Sequence, residues 1–165
     1  MKKSILAKKA SFFQEGFSVA EIVISIGIMA LLAFSAVYSF SSVSGDKYLD
    51  KDSHMILSVL DRARSLALSG NNSLQYGVNF TATSATLFSG SSYSAGAAGN
   101  QVSKVDSPVQ ISGISLAGGG SAVVFSRLTG KTSQSGTLTL SLVASSTKTR
   151  VITVYGTGIS ELNKQ

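Results

Sequence analysis

The chain has no cysteine and no tryptophan, and only one proline and one histidine in 165 residues. Without cysteine there is no disulfide, no thiolate metal site and no thiol nucleophile, so an exported domain must rely on its core and its sheet hydrogen bonds. Charge is scarce as well, at 13% of residues. After Asp61 the only acids are Asp106 and Glu161, which is too few for a calcium site built from several oxygen ligands. His54 falls near the polar side of a helical pattern and is expected at the surface rather than as a base. No Ser/His/acid arrangement is evident, so neither an enzyme nor a cofactor is expected.

What charge there is gathers at the start. The formal net charge is +6, and Lys2, Lys3, Lys8 and Lys9 precede the first long apolar run, with Glu15 the only acid there. Beyond residue 16, ten basic and seven acidic side chains remain, a mild excess that says little about a polyanionic partner.

The apolar run is the dominant feature. From Ile22 to Gly45 no residue is charged, and about 24 residues of helix extend ~36 Å, enough for a hydrocarbon core of ~30 Å with some tilt. The basic flank predicts a cytoplasmic N-terminus and the mixed stretch Asp46–Asp52 fits the far side. A cleaved secretory signal has a shorter apolar region ending in a small-x-small site. One acid intrudes: Glu21, within Glu15-Gly16-Phe17-Ser18-Val19-Ala20-Glu21. A carboxylate in a membrane helix costs about 2.5–3.5 kcal/mol at the centre and less near the end, so it needs either water or a partner.

Gly16-Phe17-Ser18-Val19-Ala20-Glu21, after a basic leader and before a long apolar helix, resembles the class III signal of type IV pilins and pseudopilins. The resemblance implies cleavage between Gly16 and Phe17 by a membrane prepilin peptidase, N-methylation of Phe17, and Glu21 as the fifth mature residue. It also implies that Glu21 pairs with the Phe17 ammonium of a neighbouring subunit; at ~4 Å and an effective dielectric near 20 that attraction is about 4 kcal/mol. Partners so implied are other pilin or pseudopilin subunits, the peptidase and methyltransferase, and the cytoplasmic membrane through residues 17–45. One departure stands out. Major pilins commonly carry a proline near the twenty-second mature residue; here Tyr38 stands there and the only proline is Pro108. Any helix break is therefore expected in Ser39–Asp46.

The remainder reads as one more stretch of helix followed by strands. Tyr48/Leu49, Met55/Ile56, Val59/Leu60, Ala63 and Leu66/Ala67 recur at helical spacing, with Asp50, Asp61, Arg62 and Arg64 expected in water. Gly70 suits a left-handed cap. Strands are expected at Leu74–Phe80, Ala85–Ser89, Val109–Ser115, Ala122–Arg127, Thr137–Val143, Thr149–Tyr155 and Ile159–Leu162, with a reversal at Ala144–Thr147. The fold class is α+β: a long N-terminal helix, transmembrane and then amphipathic, packed on an antiparallel sheet or small sandwich. The organisation is a leader (1–16), an assembly helix (17–45), an amphipathic helix (46–70) and a β-rich domain (71–165).

The order of parts also resembles the minor pseudopilins called H in type II secretion and related minor type IV pilins. The pieces concerned are Asp61–Ala67, Tyr76–Phe80, Val123–Phe125 with Gly130, and Val151–Ile159. The calcium loop of some major pseudopilins has no counterpart here. Some minor pilins bind DNA for uptake, and Arg127, Lys131, Lys148, Arg150 and Lys164 form the candidate set for that; the alternative is ordinary charges on strand edges and loops. Gly118-Gly119-Gly120 lacks the Lys-Ser/Thr of a phosphate loop and reads as a turn. Asn71-Asn72-Ser73 and Asn79-Phe80-Thr81 match the glycosylation sequon.

Overall fold

A computed structural model gives the backbone of residues 16–164, and their side chains except at 36–43 and 164. Most of the expected leader, residues 1–15, lies outside the described residues. The chain divides into two units between Phe40 and Ser41.

One helix, α1 (Val19–Leu68), begins in the first unit and ends in the second. Ser39–Asp46, the candidate for a break, is helical. Glycine and serine weaken a helix by about 1 kcal/mol or less, without proline's clash with the preceding turn. Among the described residues no helix is long and apolar enough to cross a membrane; the uncharged run continues through residues 36–43, whose side chains lie outside the described set.

The second unit is α+β, with two antiparallel sheets. The strands are β1 (Tyr76–Thr81), β2 (Ser84–Ser89), β3 (Gln101–Lys104), β4 (Val109–Leu116), β5 (Ala122–Phe125), β6 (Gly136–Leu142), β7 (Ser145–Val154) and β8 (Ser160–Lys164). They form sheets of order β3-β2-β1-β5 and β4-β6-β7-β8. The helical stripe forms as the spacing predicts: Leu49, Ile56, Leu60, Ala63 and Ala67 are fully buried. They share one core with Val78, Phe80, Val123 and Phe125 of the first sheet and Leu138, Leu140, Ile152 and Val154 of the second. Each such Phe, Leu, Ile or Val contributes about 1.5–3 kcal/mol over exposure. Tyr48, expected on the stripe, is 42% exposed. Gly70 adopts the left-handed cap at φ 64, and the Ala67 carbonyl near the helix end accepts the Leu128 N–H at 2.9 Å.

One strand was not expected, and two expectations need correction. Strand β3 has no alternating apolar pattern and only one strongly apolar residue, Val102, which is 58% exposed; backbone pairing to β2 holds it, from Ser84↔Lys104 to Leu87↔Gln101. Strand β5 ends at Phe125 rather than Arg127, because the Ser126 N–H turns back to the Lys131 carbonyl. The β6–β7 reversal is the two-residue turn Val143-Ala144, with Leu142 opposite Ser145 and Ser141 opposite Thr149. The excess residues leave the ladder as a bulge, a device that re-aims side chains, and among them is Lys148.

Candidate functional site: the N-terminal helix and the basic residues

Gly16, Phe17 and Ser18 are non-helical and exposed, with Phe17 77% exposed. The helix starts immediately after them, its first turn closed by the N–H groups of Glu21 and Ile22, which donate to the Ser18 carbonyl at 3.0 and 3.2 Å. The peptide bond between Gly16 and Phe17 is thus outside the helix and accessible. Glu21 is the acid of the first turn, where a carboxylate gains roughly 0.3–1 kcal/mol from the unpaired N–H groups of the helix start. None of the salt bridges among the described residues involves Glu21.

The helix that follows is apolar on every side. Ile22, Val23, Ile24, Ile26, Ile28, Met29, Leu31, Leu32 and Phe34 are each at least 49% exposed. A helix without a polar face is stable where apolar matter surrounds it, in a membrane or in a bundle of helices. Its hydroxyls satisfy themselves internally: Ser25 Oγ donates to the Glu21 carbonyl at 2.7 Å and Ser35 Oγ to that of Leu31 at 3.0 Å.

The basic residues do not form one surface. Lys148 Nζ lies 2.7 Å from Asp46 Oδ2, and Arg150 Nε lies 2.8 Å from Asp50 Oδ1 with the arginine side chain only 11% exposed. Both join β7 to α1, so Asp50 is half-buried and paired rather than free in water. Arg127 and Lys131 are exposed in the β5–β6 loop beside Ala67, about 26 Å along the helix from Asp50. Lys164 is opposite Arg150 in the β7–β8 register, and its side chain lies outside the described residues.

The same network holds an acid that the spacing did not single out. Asp52 is 2% exposed and its Oδ2 accepts the Asp106 N–H at 2.9 Å, while Asp106 Oδ2 lies 2.7 Å from Lys51 Nζ. Burial raises the Asp52 pKa above the ordinary 3.8, against the pull of that N–H. Hydrogen bonding to Asp106, then its charge, raises Lys51. Asp52 lies one turn after Leu49 and one before Ile56, so its position on the buried stripe was legible in the periodicity; its charge masked it.

Arg64, expected in water, is half-buried, and its Nε is buried without a hydrogen-bond partner. It lies where the helix end meets two loops: a Cβ at Gly130 would press on Leu68 and Arg64, and a Cβ at Gly158 would collide with the Gly130 carbonyl. Among the sequons, Asn79 is buried and its Oδ1 accepts the Ser121 hydroxyl at 3.0 Å, whereas Asn71 is exposed. His54 is exposed. A cleft of about 270 Å³ between helix and first sheet is lined by Arg62, Leu66, Tyr76, Leu87 and Phe88, among others; it lies just below the size range of small-molecule sites. No protein-family model, curated protein or solved structure matches the chain.

Proposed function

We propose that this chain is a structural subunit of a type IV pilus-like or type II secretion pseudopilus filament. It is made as a membrane-inserted precursor with its N-terminus inside, cut after Gly16 by a prepilin peptidase, methylated on Phe17 and assembled through its N-terminal helix. The observation that carries this is the junction at Gly16–Phe17: an exposed, non-helical bond runs directly into a helix that is apolar all round, with Glu21 in its first turn. Cleavage there creates an α-ammonium four residues before a carboxylate that has no salt bridge among the described residues. Beside another copy the two charges satisfy each other and fix the axial register, while the apolar helices supply the binding. The mature subunit acts without catalysis or a cofactor, and its environment passes from the cytoplasmic membrane to a periplasmic or extracellular filament. Two cations of the DNA set are held by helix acids, so DNA capture is the less supported reading.

N-terminal sequencing of protein from cells with and without prepilin peptidase tests this. A Phe17 terminus is expected only with the enzyme, and an intact Met1 terminus in both strains overturns the proposal. Glu21→Ala is expected to be processed and stable but to assemble poorly; normal filaments from it refute the pairing.

A further inference from the structure

At the end of the second unit where α1 stops, two turns are fastened together. The loop Arg127–Lys131 is tied to the helix by the Leu128 N–H on the Ala67 carbonyl. The turn Tyr155–Ile159 is tied to that loop by the Thr132 N–H on the Gly156 carbonyl and by the close backbone approach of Gly158 to Gly130. Large apolar side chains stand out of this assembly: Leu68 is 38% exposed, Leu128 62%, Tyr155 43% and Ile159 52%. Leu68 packs on Gly130 and Leu128 on Gly70, so the two leucines flank one tip rather than being scattered. Single exposed apolar residues are ordinary; a group of them at one end is not.

Leu128 also has φ 66, a left-handed backbone that a leucine rarely adopts. The fold holds a large apolar side chain outward at a position suited to glycine, which points to use rather than tolerance. Around it lie Arg127 and Lys131, both exposed, and Arg64. The acids nearby are Glu161, which accepts the Tyr155 hydroxyl, and Asp61, two turns back along the helix. The surface is therefore apolar at its tips and cationic at its rim.

We propose that this end of the domain docks on an anionic lipid surface, with Leu128 and Ile159 entering the boundary between headgroups and acyl chains and Arg127 and Lys131 on the phosphates. The charge complementarity favours an anionic partner. The apolar tips favour a lipid over a nucleic acid, because exposed leucine and isoleucine side chains gain by burial at the boundary of headgroups and acyl chains, while phosphates and base edges offer them little apolar surface to cover. None of the four apolar residues lines the cleft described above, so the surface is separate from it. The inference does not rest on the filament reading.

The absence of cysteine makes a test direct. The full chain, kept in solution by a non-ionic amphipathic polymer, carries Leu128→Cys labelled with an environment-sensitive fluorophore. It is mixed with vesicles of phosphatidylcholine, alone or with phosphatidylglycerol. A blue shift, quenched by lipids carrying a spin label near the headgroup, is expected only with the anionic vesicles. Loss of both cations in Arg127→Gln/Lys131→Gln is expected to weaken binding about 30-fold, taking ~1 kcal/mol per charge. A label at Val143→Cys, 62% exposed in the β6–β7 turn, is the control and should not respond. The proposal is overturned by no shift with anionic vesicles, or by an equal shift at position 143, which would mean the N-terminal segment drives the contact. It is also overturned by binding unaffected by the two glutamines, or by a response to duplex DNA or an acidic peptide in place of the vesicles.

Discussion

Replacing Asp52 by alanine and by asparagine separates what its oxygen does from what its charge does. The side chain is 2% exposed and receives the Asp106 N–H at 2.9 Å. Alanine leaves that donor without its partner and opens a small void, a cost of about 1–3 kcal/mol. In a domain of this size that lowers the melting temperature by roughly 2–4 °C per kcal/mol. Asparagine keeps an oxygen acceptor and removes the charge that burial penalises, so at neutral pH it should be neutral or stabilising. The sign of the pH dependence follows from the raised pKa. A group held above its unfolded value contributes stability fully below that value and loses it as pH rises through the folded one. Wild type should therefore lose stability relative to Asp52→Asn as pH rises from below 3.8, and the gap should close on acidification. Thermal unfolding of the full chain in non-ionic detergent, followed by circular dichroism from acid to neutral pH, measures both effects. The reasoning fails if alanine costs nothing, or if asparagine is as damaging as alanine at neutral pH.

Four further outcomes are expected. Gly158→Ala puts a Cβ into the Gly130 carbonyl at φ 80 and should cost about 2–4 kcal/mol in urea unfolding. Arg150→Ala removes a pair whose arginine is 11% exposed and should cost about 1–3 kcal/mol. Lys51→Ala removes a pair that is 65% and 35% exposed and should cost less than Arg150→Ala, since solvent screens it; equal melting curves for the two variants would contradict the difference in burial. Leu128→Gly relieves the left-handed strain and should leave stability unchanged or raise it by about 1 kcal/mol, while abolishing any docking through the leucine.

Periodicity was enough to find the helix and β6 because one face of each is buried, whereas β1 and β2, buried on both faces, stood out as short segments bounded by turn residues. Leu49, Ile56, Leu60, Ala63 and Ala67 recur at helical spacing because a single helical stripe enters the core. Leu138 and Leu140 alternate with half-buried neighbours because one face of β6 does the same. Strand β3 was illegible for the converse reason: it buries nothing and is held by backbone bonds, which leave no trace in side-chain pattern. The start of β7 was missed because the bulge at Ser141/Leu142 breaks alternation.

The charges show where such reading stops. Arg127, Lys131, Lys148, Arg150 and Lys164 look alike as sequence, and folding sorts them. Two are drawn onto Asp46 and Asp50, about a hundred residues earlier in the chain, and two remain at the far end of the helix. Residue order by itself carries the proposal for the N-terminal segment, from Gly16 to Glu21 and into the uncharged run, because every part of that reading is local: a proposed cut site, a helix start and an acid in the first turn. It also determined α+β, because burial of one face imprints a period on the chain. Only the tertiary structure decided which ions pair, that Asp52 receives the Asp106 N–H, and that Leu68, Leu128, Tyr155 and Ile159 meet at one end. Those outcomes depend on contacts between segments far apart in the chain, and no local spacing records a distance that folding alone creates.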